Sequence, residues 1–440
     1  MGNDGVRQPA DDLAEDFAEA MLGSPRGLRF AFACFQQQLL TLMDGDYDGP
    51  VYADHVAFFD ACHDESVGTI LARRGPGERG WNGLPRRFGP GVREPAEPQM
   101  PAPLPYQDLA DRIRRYEPTL PDGPELVEAL VTTVSDAAYW GEVRGEEVLA
   151  SREPIRRALR PYAREAARAI LAFGLHSPPD PYAQWSVDFG NSAADLPYGT
   201  PPASVNAASV LEKWWDQATA WESRSLLESP SDPSARFSGE WWSTPPDRLM
   251  ITSPPWPTAM TDPARGPHPG EPTGLRIIED PHGWEHATAH RLVSPRTQRE
   301  LRLFVIDGPQ DWARLCARFP FEVSASKRHD WHHTTGGVEP WFMPDFDAMA
   351  AEFDAIHLSL RGYLSSAGIA VPVPCLPEAE EDSPILDQRL PERPLLGHTV
   401  LAGWAPLSTY WLVDAHVEPG SGTRWEGDGQ REWSPASSSV

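Results

Sequence analysis

The chain is 440 residues long, enough for two or three domains at roughly 100–200 residues each. Lys and Arg total 38 against 64 Asp and Glu, and the net charge of −26 repels phosphate backbones and anionic lipid, disfavouring nucleic-acid and membrane partners. Four cysteines (Cys34, Cys62, Cys316, Cys375) lie far apart with no CxxC, as expected of free thiols in a reducing cytoplasm. No apolar run approaches a membrane span, and Met1-Gly-Asn-Asp-Gly opens no charged-then-apolar leader, so a cytoplasmic location is expected.

The first half reads as helices. Leu13–Leu22 and Leu28–Met43 are separated by Ser24-Pro25-Arg26-Gly27, and the second carries Phe30, Phe32, Phe35, Leu39 and Leu40 at helical spacing. Asp44-Gly-Asp46-Tyr-Asp48-Gly49 then opens like a calcium loop, with alternate carboxylates before a glycine. Pro50 at the backbone-ligand position and His55 in place of the closing glutamate break that pattern. An acidic turn or an acidic substrate-binding loop remains. Helices are expected over residues 51–73, Tyr106–Tyr116, Pro124–Trp140, Ser151–Phe173 and Ser204–Leu227, with Gly, Pro and Arg making residues 74–107 a long loop. Ser151 is placed as a helix cap and Pro154 in the first turn. Residues 228–236 (Glu-Ser-Pro-Ser-Asp-Pro-Ser-Ala-Arg) form the clearest linker.

Beyond it the pattern turns towards strands. Leu249–Ser253, Leu275–Glu279, Glu285–Val293, Leu301–Ile306 and Ile356–Leu360 read as extended, with Asp280-Pro281-His282-Gly283 as a hairpin turn. Short helices are expected at Asp311–Phe319 and Phe342–Phe353, and Val400–Trp404 with Thr409–Val413 as a closing strand pair. Residues 374–396 are an acidic, Pro-rich excursion, and a disordered tail is expected over 418–440. The fold class is therefore α+β: a helical region (1–227) packed on a mixed α+β domain (237–417), with the site at their junction.

Two stretches concentrate reactive side chains. His329-Asp330-Trp331-His332-His333 follows Lys327-Arg328, and imidazoles beside a carboxylate suit proton transfer near neutral pH. In a strand His329, Trp331 and His333 would share one side, with Asp330 and His332 on the other. Asp354 and His357 lie three apart, with Ser359 two residues on, but no Gly-x-Ser-x-Gly elbow precedes that serine. His357 reads equally as a core histidine. The candidate catalytic groups are His329, Asp330, His333, Asp354 and His357, with Lys327, Arg328, Trp331, Asp44, Asp46 and Asp48 as substrate contacts. There is no phosphate loop, no His-Glu-x-x-His and no Cys/His zinc pattern, so no cofactor and no metal is expected. Tryptophans 214, 215, 241 and 242 could instead cage a cation or dock a partner.

Several blocks resemble a family of uncharacterised actinobacterial proteins. They are Val134-Ser-Asp-Ala-Ala-Tyr-Trp140, Phe237-Ser-Gly-Glu-Trp-Trp-Ser-Thr-Pro245, Ile278-Glu-Asp-Pro-His-Gly-Trp284, Ser324-Ala-Ser-Lys-Arg-His-Asp-Trp331, Phe353-Asp-Ala-Ile-His-Leu-Ser359 with Gly362-Tyr-Leu364, and Leu401-Ala-Gly-Trp404 with Thr409-Tyr-Trp-Leu412. That resemblance brings no activity with it. Ser253-Pro-Pro-Trp256 stands where such proteins keep an arginine. A fainter resemblance, tied to no single motif, is to the ring-closing proteins of actinobacterial peptide-antibiotic pathways, which form an aziridine by expelling sulfate. It implies an amine-bearing or carrier-bound substrate and a partner enzyme such as a sulfotransferase. The expected function is thus a cofactor-independent acid/base enzyme of specialised metabolism that carries out elimination or intramolecular cyclisation. The alternative is a non-catalytic binding or regulatory protein that docks a partner through its Trp-rich faces.

Overall fold

The computed structural model describes residues 10–43, 45, 47–74, 104–139, 141, 143–177, 179–190, 204–281, 283–296, 300–338, 340–376, 394–429 and 432–436. The helical half comprises α1 (Ala10–Leu22), α2 (Pro25–Met43), α3 (Pro50–Arg74), α4 (Tyr106–Ile113), α5 (Gly123–Ser135), α6 (Gly145–Ser151) and α7 (Glu153–Ala172). Helix α2 is its axis: Phe30, Phe32 and Phe35 are fully buried, and α1, α3, α5, α6 and α7 all pack on it. Ala158, Ala163, Ala166, Ala167 and Ala169 give α7 a small-residue face, which lets neighbouring backbones come close. Asp122 and Glu125 close a reciprocal capping box on α5, satisfying two backbone donors. Ser151 is not the cap of α7. It ends α6, and the extended residue Arg152 turns the chain, leaving Pro154 in the first turn as expected.

The second half contains β1 (Trp185–Asp188), β2 (Ser204–Val205), α8 (Ala207–Glu228), β3 (Met250–Thr252), β4 (His286–Val293), β5 (Leu303–Ile306), α9 (Pro309–Arg318), β6 (Pro320–Glu322), α10 (Arg328–Thr335), β7 (Phe342–Pro344), α11 (Phe346–Met349), β8 (Ala355–Leu358) and α12 (Leu360–Ser366). It closes with β9 (Val371–Pro374), β10 (Leu395–Thr399), β11 (Thr409–Trp411), β12 (Ala415–Val417), β13 (Thr423–Gly427) and β14 (Trp433–Pro435). One sheet runs β3-β11-β8-β5, with β5 and β8 parallel and the other pairs antiparallel. Its central strand β8 is buried at all four residues, which explains its unbroken apolar character around His357. A second sheet runs β14-β13-β4-β12-β2, and β1 also pairs with β4. With helices gathered in the first half and strands in the second, the fold is α+β.

Local structure departs from expectation in four further places. Leu275–Glu279 is no hairpin strand: Thr273–Leu275 is a 3-10 turn, Asp280 takes φ 52°, and β4 pairs with β1, β12 and β13. Residues 342–353 divide into β7 and the short α11, because Asp345 caps a helix there through the amides of Asp347 and Ala348. Thr409–Trp411 pairs with β3 and β8 and not with residues 400–404. The tail expected to be disordered supplies β13 and β14, whose Trp425 and Trp433 cover a small apolar cluster with Leu275, Ala287 and Ala289. Most of the loop expected over 74–107 and most of the 374–396 excursion lie outside the described residues, as do His282, Asp44 and Asp46; Asp48 is exposed.

One hydrophobic core runs from Ala14 in α1 to Leu412 beyond β11. Helix α12 joins the two halves by packing on α1, α2 and α9. Its approach is close. A Cβ on Gly27 of α2 would sit 2.1 Å from the Met21 carbonyl oxygen and 2.5 Å from that of Leu364. No described helix is long and apolar enough to cross a membrane.

Candidate functional site

Residues 328–335 are helical, so the alternation expected of a strand does not apply, and Asp330 and His333 are three apart on one helix. Gly336 ends α10 at φ 69°, and His332 Nδ1 lies 2.7 Å from the Gly337 oxygen. The side chains expected here as catalytic groups or substrate contacts hold the 229–240 segment against the helix. Arg328 donates to the Pro230 oxygen at 2.9 Å, and Asp330 accepts from Ser238 Oγ at 2.9 Å and the Gly239 amide at 2.8 Å. The His329 ring packs on Phe237 at 4.9 Å. Burial and the neighbouring Arg328 charge hold His329 below its ordinary value, while burial raises the Asp330 carboxyl despite its two donors. Trp331 is fully buried and donates to the Trp241 oxygen, so it is core and not a substrate contact.

Lys327 is also buried. It pairs with Glu240 at 3.2 Å and lies 5.3 Å from the Trp242 ring centroid, with its ammonium pushed down by burial. The adjoining cleft, between Trp214, Trp242, Phe321 and Met343, encloses about 10 Å³ and holds roughly one water.

Asp354 and His357 do not form a pair. Burial raises the Asp354 carboxyl, but hydrogen bonds from the Arg302 amide and guanidinium, with Arg296 nearby, outweigh it and leave the carboxyl below its usual range. His357 faces Thr409 across the β8–β11 ladder, its Nδ1 2.9 Å from Oγ1, and burial depresses it to about 3. It is a neutral core histidine. Ser359 donates to Asp307 at 2.6 Å and caps α12 through the Gly362 amide.

Of the expected catalytic residues, His333 stands at the junction of the two halves. With Arg26, Asp136, Tyr139, Arg144 and Glu147 it lines a space of about 60 Å³ between the helical half and α10, room for about four waters or a small polar group. The junction location was expected, but most of its chemistry comes from residues outside both singled-out stretches. Arg26 and Glu147 form a buried ion pair, and the Arg26 guanidinium carbon lies 5.9 Å from the Tyr139 ring centroid. Tyr139 stacks on Trp241 at 5.5 Å and donates to Glu279 Oε1 at 3.0 Å. From the other side Tyr363 of α12 donates to the same oxygen at 2.7 Å. Oε2 of Glu279 is buried.

Glu279 is 4% exposed. Burial raises its carboxyl to about 7, even though the Tyr363 hydroxyl, the Arg26 charge, the Tyr139 hydroxyl and the Gly403 backbone all favour the anion. Both tyrosines are pushed well above the ordinary phenol value, first by burial and then by the Glu279 charge, so they stay protonated as donors. One signal could have found this group. Tyr139, Trp241, Glu279, Tyr363 and Gly403 belong to five separate blocks of the family resemblance, and the fold brings them together. Compared with known proteins, the chain matches no family model, no curated protein and no solved structure.

Proposed function

We propose that this protein is a small-molecule enzyme that works by acid/base chemistry in the junction cavity. Glu279 is its proton-exchanging carboxyl, and Tyr139 links that carboxyl to the cavity. The observation that carries this reading is a buried carboxyl at about 7, held by two phenols of which one is itself a wall of the cavity. A general acid/base works best when its pKa lies near the operating pH. An ammonium group in the cavity gives a proton to the Tyr139 oxygen while the Tyr139 hydroxyl proton passes to Glu279 Oε1. The amine so freed can attack a carbon of its own molecule, closing a ring as an anion such as sulfate departs. Arg26 and Arg144 supply cationic support for that anion.

The test is incubation of wild type and Glu279→Gln with small-molecule extract of the native host, followed by mass spectrometry. An amine consumed by wild type and left by the variant is the expected result. If wild type and variant consume the same metabolite at equal rates, Glu279 is structural and the reading falls. A second reading, partner docking, has one observation of its own. Helix α8 buries only Ala207, Leu211 and Ser225, and its end exposes Leu226 and Leu227. Retention of one protein partner by wild type, lost in Leu226→Ser/Leu227→Ser, would favour it.

A further inference from the structure

We propose that Lys327 is a covalent binding site for a small unbranched aldehyde, held as an imine, with Glu240 as the proton carrier. The proposal rests on neither Glu279 nor the junction cavity. Only two lysines, Lys213 and Lys327, occur among the 38 Lys and Arg residues of the chain. Lys213 is exposed on α8, whereas Lys327 is 2% exposed, in the wall of the cleft that α8, β6, β7 and residues 240–244 enclose. An ion pair alone does not call for lysine there. Arginine would meet Glu240 in a two-point contact and lie flat on the Trp242 ring, and the buried pairs Arg26–Glu147 and Arg276–Glu271 use it. What a lysine adds is a nitrogen that can give up its proton and form a covalent bond. Burial favours that state: it outweighs the attraction of Glu240, Glu222 and Asp330 and holds the ammonium below its ordinary value.

The cleft provides the rest. Glu240 Oε2 stands 3.2 Å from Nζ, near enough to take a proton, and its side chain is about a third exposed, so it exchanges with water. The cleft measures about 280 Å³ with its open mouth but encloses only about 10 Å³. A terminal carbonyl therefore enters and a branched carbon does not, while an unbranched chain lies outward along Trp214 and the exposed Trp242. Glu240 takes one ammonium proton, and the freed Nζ lone pair forms the C–N bond as the carbonyl π pair moves onto oxygen. A second nitrogen proton passes to that oxygen. Glu240 then returns its proton as the C–O bond breaks, water leaves, and the nitrogen lone pair closes the C=N bond. The product is a protonated imine beside a carboxylate. Charge is the same as before, so the contacts that held the ammonium, Glu240 and the Trp242 ring 5.3 Å away, also hold the iminium.

With so few lysines, amine labelling tests this residue by residue. Wild-type protein is treated with butanal and cyanoborohydride at about pH 7, which fixes an imine as a butyl amine, and the label is mapped by peptide mass spectrometry. Lys327 should label at least about tenfold faster than Lys213, and the preference should vanish in urea-unfolded protein. With 2,2-dimethylpropanal the ratio of Lys327 to Lys213 labelling should fall about tenfold, because the branched carbon does not enter the cleft. Glu240→Gln leaves more of the amine unprotonated but removes the proton carrier, and a net slowing of about tenfold at Lys327 is expected. Lys327 labelling that is unchanged or faster in that variant removes Glu240 from the step. Lys327 labelled no faster than Lys213, or a preference that survives unfolding or ignores branching, overturns the proposal.

Discussion

Glu279 and His357 are both buried, and burial moves each towards its neutral form. The unfolded chain titrates both near their ordinary values, so the two leave opposite marks on stability. His357, at about 3 in the fold against 6.5 free, contributes stability that is present above the free value and is lost as pH falls through that window. At about pH 5 the loss is roughly 2 kcal/mol, and His357→Gln should be spared it when denaturation at about pH 5 and about pH 7.5 is compared. Glu279, raised from 4.5 to about 7, contributes stability that is full below the lower value and is lost as pH rises through the upper one. Glu279→Gln should therefore lack a fall of roughly 3 kcal/mol between about pH 4.5 and about pH 7.5. Where the windows overlap the slopes cancel, so wild type should show a flatter profile than either variant. Carbon-13 NMR of labelled glutamate checks the premise directly: a carboxyl titration near neutrality in wild type should be missing from Glu279→Gln.

Helix α10 shows what an element does to residue-level expectation. Lys327, Arg328, His329 and Asp330 have the composition of a catalytic loop, and the structure uses them to fasten residues 229–240. Replacing Asp330 with alanine leaves the Gly239 amide and Ser238 hydroxyl without their acceptor, at a cost of about 1–3 kcal/mol. The expected result is faster amide exchange at Gly239 and faster proteolysis within 229–240, with the Glu279 titration unmoved. Element type was legible wherever periodicity ran long, as in α2 and α7, or where a strand was buried on both faces, as in β8. It was not legible at 275–279, because a 3-10 turn and a left-handed Asp280 leave no hydrophobic period. The site followed the same rule. His333 was within reach of sequence reading because it stands among other histidines. Arg26, Tyr139, Glu147, Glu279 and Tyr363 come from elements far apart in the chain, and only tertiary packing makes them one group.

At the scale of the molecule, the helical half and the sheet-bearing half share a core, and α12 is the seam. Gly27 sets how tightly that seam closes, since any side chain there meets two carbonyl oxygens. Gly27→Ala should lower stability by about 3 kcal/mol, read as a drop in the thermal midpoint, and should also disturb the Glu279 titration because Tyr363 rides on α12. A protein with independent halves would show the first effect without the second. Beside Gly27, the Ser24 hydroxyl donates to the Leu364 carbonyl across 340 residues of chain. On the ribosome, therefore, α1 and α2 wait with an apolar flank uncovered until the 340 residues that separate Ser24 from Leu364 have been made. Such late closure makes folding slow and exposes a nascent intermediate to aggregation. Production of this protein should accordingly respond to translation speed and to chaperone supply, because α1 and α2 are covered by a helix made hundreds of residues later.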